Sequence, residues 1–215
     1  FWLSVMRGKP TMVLIGAGGH AHACIDVIER HGGYRIAGLV GMQEEMQAEH
    51  LGYEVIATDA DLPRLAEEYE FALITVGQIH SPATRIRLYQ QCVELGFSLP
   101  SIVAPTALLG THTSIGAGTI VMHGAIVNAG ARVGQNCIIN STALVEHDAV
   151  IDDHCHISTG AILNGKVSIG AGSFVGSGCV IKDGISIGKN CIVGLGLSVR
   201  KDQADNSTFL GHKKT

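Results

Sequence analysis

The sequence predicts a small α/β, Rossmann-like domain over residues 1–100 followed by a parallel β-helix over residues 101–215. Three observations predict it. Every sixth residue from Val103 to Val199 is Ile, Leu or Val, seventeen positions in succession. The first hundred residues alternate short apolar runs with helical patterns, and the first run ends in the turn Gly16-Ala-Gly-Gly-His20. Gly makes up 28 of 215 residues, while charged residues are 16% and aromatics 5%. That is about twice ordinary Gly usage, and it suits tight turns around a regular apolar interior.

In the first domain, strands are expected over residues 11–15, 35–40, 54–56 and 71–76, with helices over 21–31, 62–69 and 81–95. Such alternation implies a small parallel sheet. Gly16, Gly18 and Ala21 fit G-x-G-x-x-A, a weak signal when alone. The acid expected about twenty residues later to hold a ribose is missing, because the second strand ends in Leu39-Val40-Gly41. The domain is also too short for a two-half dinucleotide fold, so NAD is not expected. Two readings of the glycines stay open. Backbone N–H groups and the helix dipole favour an anion at such a helix mouth, or the glycines simply permit a tight strand–helix turn. His20 either reaches that anion or caps the turn. Gly77-Gln78 closes another strand at the same sheet edge, with Arg85 a helical turn or two onward, and ligands of open α/β sheets bind at that edge.

In the second domain the six-residue period is too short for a helical repeat and fits a β-solenoid. Four residues after each aliphatic comes a mostly small residue, such as Ala125, Ala131, Cys137, Ala143, Ala149, Cys155, Ala161 and Ser173. Each aliphatic buried is worth ~1.5–3 kcal/mol before entropy. The residue just after the aliphatic is often Gly, as at 110, 116, 134, 170, 176, 188 and 194. It is expected to supply a turn conformation closed to most residues, with Asn128, Asn140 and Asn164 standing in for it. Cys137, Cys155, Cys179 and Cys191 fall in the small slot and act as small hydrophobes. Cys24 and Cys92 fall in expected helices. A reduced, cytoplasmic protein follows as the expectation.

Formal net charge is −4, with no block of Lys or Arg, which excludes nucleic acid as an expected partner. No stretch is long and apolar enough for a bilayer span, so no membrane insertion is expected. Residues 1–10 contain Arg7 and Lys9 and lack the apolar core and cleavage site of a signal peptide. Met6 or Met12 is the expected natural start.

Glu146-His147-Asp148 is the densest titratable cluster of the repeat. Positions 145 and 149 are inward slots, so His147 and Asp148 point outward. A surface His is the default for such a residue. Two features favour chemistry. An adjacent carboxylate fixes the imidazole tautomer and stabilises the imidazolium, as a general base needs. Eighteen residues on, Gly165 stacks beside His147 at ~4.8 Å and offers room and an N–H. His154 and His156 flank inward Cys155, but no third ligand appears at repeat spacing, and His123 stacks with Ser141 and Thr159. No metal is expected.

The Gly-Ala-Gly-Gly-His start, the Glu-His-Asp cluster, His156 and Asn164-Gly165 together resemble the sialic acid O-acetyltransferase and bacillosamine N-acetyltransferase family of hexapeptide-repeat sugar acyltransferases. The resemblance covers residues 12–205. It implies a left-handed β-helix with 18 residues per triangular coil, a homotrimer with sites between subunits, acetyl-CoA as co-substrate and a nucleotide-sugar substrate. By the same resemblance His147 is the general base and Asp148 its orienter. Gly165 N–H holds the thioester oxygen, and His156 lines the acyl-donor side. Asn140 and Glu146 line the sugar side, Gly18, Gly19 and His20 contact the sugar's diphosphate, and Gly77 is a further substrate-binding candidate. Two departures stand out. Val40-Gly41-Met42-Gln43 replaces the acids that read the base in many members. Leu210-Gly-His-Lys-Lys-Thr215 replaces the usual Gly-x-Pro-Ala ending.

The expected activity is acetyl-CoA-dependent N-acetylation of a nucleotide-linked amino sugar of the 4-amino-dideoxy class, for bacterial surface glycan synthesis. O-acetylation of sialic acid or a related sugar is the close rival, and a non-catalytic β-helix scaffold is the rival of another class.

Overall fold

The computed structural model describes residues 8–210. The leader through Arg7 and the divergent tail Gly211–Thr215 lie outside the described residues, as do the expectations that concern them. The chain divides into two compact units. One runs to Gly77 and resumes over Gln90–Pro100, and the other holds Gln78–Tyr89 and the chain from Ser101 onward. The segment 78–89, which a boundary at residue 100 assigns to the first domain, is therefore part of the second unit.

The first unit is a sheet of β1 (Thr11–Ile15), β2 (Arg35–Gly41), β3 (Glu49–His50), β4 (Tyr53–Thr58) and β5 (Phe71–Ile74), in the order β3-β4-β2-β1-β5. All pairings are parallel except β3 with β4. β1 lies inside the sheet between β2 and β5, and Met12 to Ile15 are fully buried, which is why it reads as an unbroken apolar run. α1 (Gly19–His31) begins two residues before its expected start. It ends where Gly32 adopts φ 70° and its N–H reaches Ile28 O at 3.0 Å, a left-handed cap that Gly fills at least cost. α2 (Leu62–Glu68) opens with Pro63 in its first turn, where the missing N–H has no helical partner to lose. The short β3 has no sequence counterpart, because two residues carry no legible period.

The second unit is a left-handed parallel β-helix. Its two-residue strands form three sheets. Face one runs from Ile102–Val103 through Ile138–Ile139 and His156–Ile157 to Thr208–Phe209. Face two runs from Leu108–Leu109 through Leu144–Val145 to Ser198–Val199. Face three runs from Ser114–Ile115 through Val150–Ile151 to Ser186–Ile187. Ile126 pairs with Leu144, and Leu144 with Ile162, so one coil takes 18 residues. The aliphatic column is buried from Val121 onward. At its start Val103 and Ile115 are partly covered and Leu109 is exposed, because no coil lies beneath to complete the stack.

One expectation is corrected. The glycines that follow the aliphatics do not supply the left-handed turn. Every sixth residue from His112 to Gly196 has positive φ, between 51° and 75°, and these positions lie two residues further on. Gly fills many of them, and Asn136, Asn190, Asp148 and others fill the rest. Asn128, Asn140 and Asn164 are not among the positive-φ residues. The glycines after the aliphatics, Gly194 excepted, answer to a close approach instead. A Cβ on Gly116 would lie 2.5 Å from Gln135 N, and one on Gly176 2.7 Å from Leu195 N, both below contact distance with the next coil's backbone.

Candidate active site

In the second unit, the corner between faces two and three carries the titratable cluster. Val145 and Ala149 are fully buried, so the residues between them are turned outward. The side chains of His147 and Asp148 are 59% and 57% exposed. Asp148 occupies the left-handed turn position with φ 59°, a conformation that Asp and Asn tolerate through local hydrogen bonding. That turn brings its Oδ2 to 3.0 Å from His147 Nδ1, which leaves Nε2 at the free end of the ring. The His147 hydrogen bond is the largest cause that holds the Asp148 carboxyl below its usual range; desolvation opposes it, and the charges of His147, Lys166 and Arg132 act with it.

Gly165 lies against that ring. A Cβ there would sit 2.6 Å from His147 Nε2 and 2.7 Å from Cε1, so the absence of a side chain is a condition for the imidazole's position. The Gly165 N–H makes no hydrogen bond among the described residues. Glu146, His147, Asn164, Gly165, Lys166, Asp183 and Gly184 line a cavity of about 380 Å³ at this corner. Glu146 Oε2 accepts from Asn128 Nδ2 at 2.9 Å and from His147 N at 3.3 Å. Asn128, read from sequence only as a turn residue, stands one 18-residue coil before Glu146, and stacking arithmetic alone points to this contact.

The structure brings Glu146, His147, Asp148 and Gly165 together at one corner. Asn140 and His156 lie elsewhere, at the end and the start of face-one strands. His156 is only 7% exposed. Its Nδ1 meets Gln78 O at 2.6 Å and its Nε2 meets Asn140 Nδ2 at 3.1 Å, with the Phe174 ring edge-on at 5.2 Å. Both ring nitrogens are thus hydrogen-bonded within the unit. Burial, joined by the Arg85 charge and opposed by the Gln78 hydrogen bond, pushes its pKa down to about 4. Gln78 is itself 3% exposed, and its amide donates to His154 O at 3.0 Å and Gly172 O at 3.2 Å. Sequence reasoning noted Gln78 only as the end of a strand. His123 is bonded to Thr106 Oγ1 at 2.9 Å. Among the described residues no group of three or more His, Cys, Asp or Glu is arranged to hold a metal ion.

In the first unit, Gly18, Gly19, His20 and Gly77 come together at the carboxyl edge of the sheet. Gly16 has φ 122°, and a Cβ on it would strike Val76 at 2.6 Å, so its role is the tight turn. Gly18 and Gly19 are different. Nothing lies within 4 Å of a Cβ built on either, so the fold does not demand glycine there, and the mouth of α1 is left bare. A Cβ on Gly77 would touch His20 Cβ at 3.5 Å, and His20 Nε2 lies 3.4 Å from Cys24 Sγ. Thr75 Oγ1 donates to Gly16 O at 2.7 Å and pins the loop to the strand beside it.

Comparison with known proteins gives a consistent set of relatives. Residues 11–92 match the PglD N-terminal domain, and residues 166–201 match the hexapeptide repeat of succinyl-transferase. A mutant of perosamine N-acetyltransferase from Caulobacter crescentus, solved in complex with CoA and GDP-perosamine, is 31% identical over 95% of each chain, with a TM-score of 0.88. The acetyltransferase domain of PglB from Neisseria gonorrhoeae FA1090, in complex with acetyl coenzyme A, is 30% identical over 95% of this chain and 97% of that one, with a TM-score of 0.86. WeeI from Acinetobacter baumannii AYE, 20% identical with a TM-score of 0.82, shares the fold. No curated protein matches this sequence.

Proposed function

Because this chain belongs to the sialic acid O-acetyltransferase and bacillosamine N-acetyltransferase family of hexapeptide-repeat sugar acyltransferases, we propose that it acetylates the amine of a nucleotide-linked 4-amino-dideoxy sugar. The enzyme class is an acetyl-CoA-dependent sugar acyltransferase. The observation that carries the reading is the His147–Asp148 pair held at 3.0 Å, with Nε2 turned toward a glycine that has no room for a side chain.

The chemistry follows from those atoms. The sugar amine attacks the thioester carbonyl as His147 Nε2 takes a proton from the attacking nitrogen. Asp148, ionised and bonded to Nδ1, holds the tautomer and stabilises the imidazolium. The carbonyl oxygen becomes an oxyanion beside the unbonded Gly165 N–H, the kind of fixed donor that is most effective where charge develops. Collapse expels the coenzyme thiolate, and the imidazolium returns its proton to sulfur. Glu146, held by Asn128, and Asn140 are assigned to the sugar. The bare glycines and N–H groups at the mouth of α1, together with His20 and Gly77, are assigned to its diphosphate. The relative's GDP-perosamine complex supports a nucleotide-linked amino sugar as substrate. The six cysteines, all free and buried, suit a reducing cytoplasm.

The test is release of coenzyme A thiol with acetyl-CoA and a panel of UDP- and GDP-linked 4-amino sugars, GDP-perosamine first. Turnover should fall by ~10²–10⁴-fold in His147→Ala, the usual worth of a general base, with sugar binding nearly intact. Stability should be unchanged, since the ring is exposed. Near wild-type kcat in that variant would refute the mechanism. An absence of thiol release with every amino and hydroxyl sugar would leave the scaffold reading. Turnover with unlinked sialic acids alone would leave O-acetylation.

A further inference from the structure

Between Ser141 N–H and the Gln78 carbonyl runs a chain of hydrogen bonds whose polarity has one solution. Ser141 N–H donates to Asn140 Oδ1 at 2.8 Å, and a backbone N–H is only a donor. The Asn140 amide is thereby oriented, and Nδ2 is the atom that faces His156 Nε2 at 3.1 Å. An amide nitrogen is only a donor, so Nε2 must be the unprotonated nitrogen. The proton then sits on Nδ1, and there it meets Gln78 O at 2.6 Å, a group that is only an acceptor. Both ends are backbone groups of fixed polarity, so the tautomer of His156 and the flip of Asn140, ordinarily matters of inference, are set by the chain itself. Gln78 is held in turn by its two amide bonds to the carbonyls of His154 and Gly172. Protonation of His156 would set two donors face to face. Burial and the neighbouring Arg85 charge both disfavour it.

Asn140 is half-buried and keeps one N–H outside this chain. We propose that Gln78 and His156 are positioning residues that hold Asn140 as a fixed hydrogen-bond donor, so that the substrate atom it meets is an oxygen acceptor and not the amine. This rests on the assignment of Asn140 to the sugar in the proposed function. It makes His156 neither a base nor a ligand contact. It also identifies what the site reads at Asn140: a hydroxyl, ether or carbonyl oxygen of the substrate.

Two measurements test it. In protein with 15N-labelled imidazoles, long-range proton–nitrogen correlation should show His156 as the pure Nδ1–H tautomer at pH 7, still neutral at pH 5. An Nε2–H tautomer, or an imidazolium in that range, would overturn the proposal, and neither result depends on turnover. The second measurement is kinetic. His156→Gln restores an acceptor opposite Asn140, whereas His156→Leu fills the space without one. With GDP-perosamine or the best acceptor of the panel, His156→Leu should raise the acceptor KM by about tenfold or more, the scale of a lost hydrogen bond at a site built for one. The KM for acetyl-CoA should stay unchanged, and His156→Gln should remain within about threefold of wild type on the same scale. Equal acceptor KM in the two variants would mean that His156 only fills space. If the wild type turned over no amino sugar, the proposed function would fail, while the tautomer would still decide the hydrogen-bond chain.

Discussion

At residue 165 a single methyl group decides between two arrangements of the site. A Cβ there would sit 2.6 Å from His147 Nε2, so Gly165→Ala must push the imidazole away. The backbone at this residue is not in the left-handed region and accepts alanine. Activity should therefore fall by at least ~10²-fold, as when a base is misplaced, with little change in the unfolding midpoint. A fall in both together would mean that Gly165 serves the fold alone. Asp148→Asn should cost less than loss of His147, since shape remains and only the charge is removed. His156 predicts a pH effect on stability. Its folded pKa is depressed to about 4, against ~6.5 when unfolded. Between these values the unfolded chain binds a proton that the folded chain does not. The contribution is thus fully present above pH ~6.5 and is lost as pH falls toward 4, by ~1.4 kcal/mol per unit and on the order of 3 kcal/mol in all. Urea unfolding at pH 7, 5.5 and 4.5 should show the wild-type stability falling more steeply than that of His156→Gln; parallel curves would contradict this.

At the scale of the repeat, the small slot does more than save space. At the corner between faces three and one it holds Thr119, Cys137, Cys155, Ser173 and Cys191, each with a hydroxyl or thiol. Each donates to a carbonyl of the next coil: Thr119 to Gly134 O, Cys137 to Asp152 O, Cys155 to Gly170 O, Ser173 to Gly188 O and Cys191 to Ala204 O. Several also accept from a backbone N–H one coil on, as Ser173 does from Cys191 N at 2.8 Å. At the other two corners alanine is commonest, as at Ala125, Ala131, Ala143, Ala149 and Ala161, and there the slot N–H closes its own turn, as Ala131 N does on Asn128 O; Cys179 is a thiol at one of these corners and donates to Gly194 O. The cysteines are therefore hydrogen-bonding members of a ladder as well as small apolar groups. Ser173→Ala should cost about 1–3 kcal/mol by leaving Gly188 O and Cys191 N–H without partners. Ser173→Cys should be nearly neutral, because Cys fills the same position in neighbouring coils. Equal losses in equilibrium denaturation would show that the slot is sensitive only to volume.

At the scale of the whole molecule the remaining question is assembly. Face two of the β-helix presents Leu108, Ile126, Leu144, Ile162 and Val180 on its outer side, and Leu108, Ile126 and Val180 are exposed. No charged residue stands in this outer column, which suits a surface covered by another copy. Its edge carries His147. A homotrimer in which each copy covers this face is the assembly we propose, with the acetyl-CoA site completed by a neighbour. Sedimentation equilibrium should give three times the monomer mass, and Ile126→Glu should lower that mass and the activity together. A fully active monomer at micromolar concentration would exclude it. No described helix is long and apolar enough to cross a membrane.

The sequence by itself determined what depends on local period and on stacking at fixed intervals. Seventeen aliphatics at six-residue steps require a parallel solenoid, since only that arrangement turns every sixth side chain to one core. Once 18 residues make a coil, His147, Asp148 and Gly165 fall together by arithmetic, and Gly18 and Gly19 stand at a helix mouth by motif. The strands and helices of the first unit were legible within a few residues for the same local reason. Tertiary structure decided whatever depends on contacts across coils or between distant segments. The glycines after the aliphatics were legible as needed, but the reason for all except Gly194, a backbone from the next coil at 2.5–2.8 Å, is a distance that no one-dimensional pattern contains. Gln78 and His156 are 78 residues apart, and nothing local in either marks the bond between them. His156, read from sequence as lining the acyl-donor side, is bonded at both ring nitrogens, to Asn140 and to the distant Gln78 carbonyl, and only the folded chain brings those partners to it.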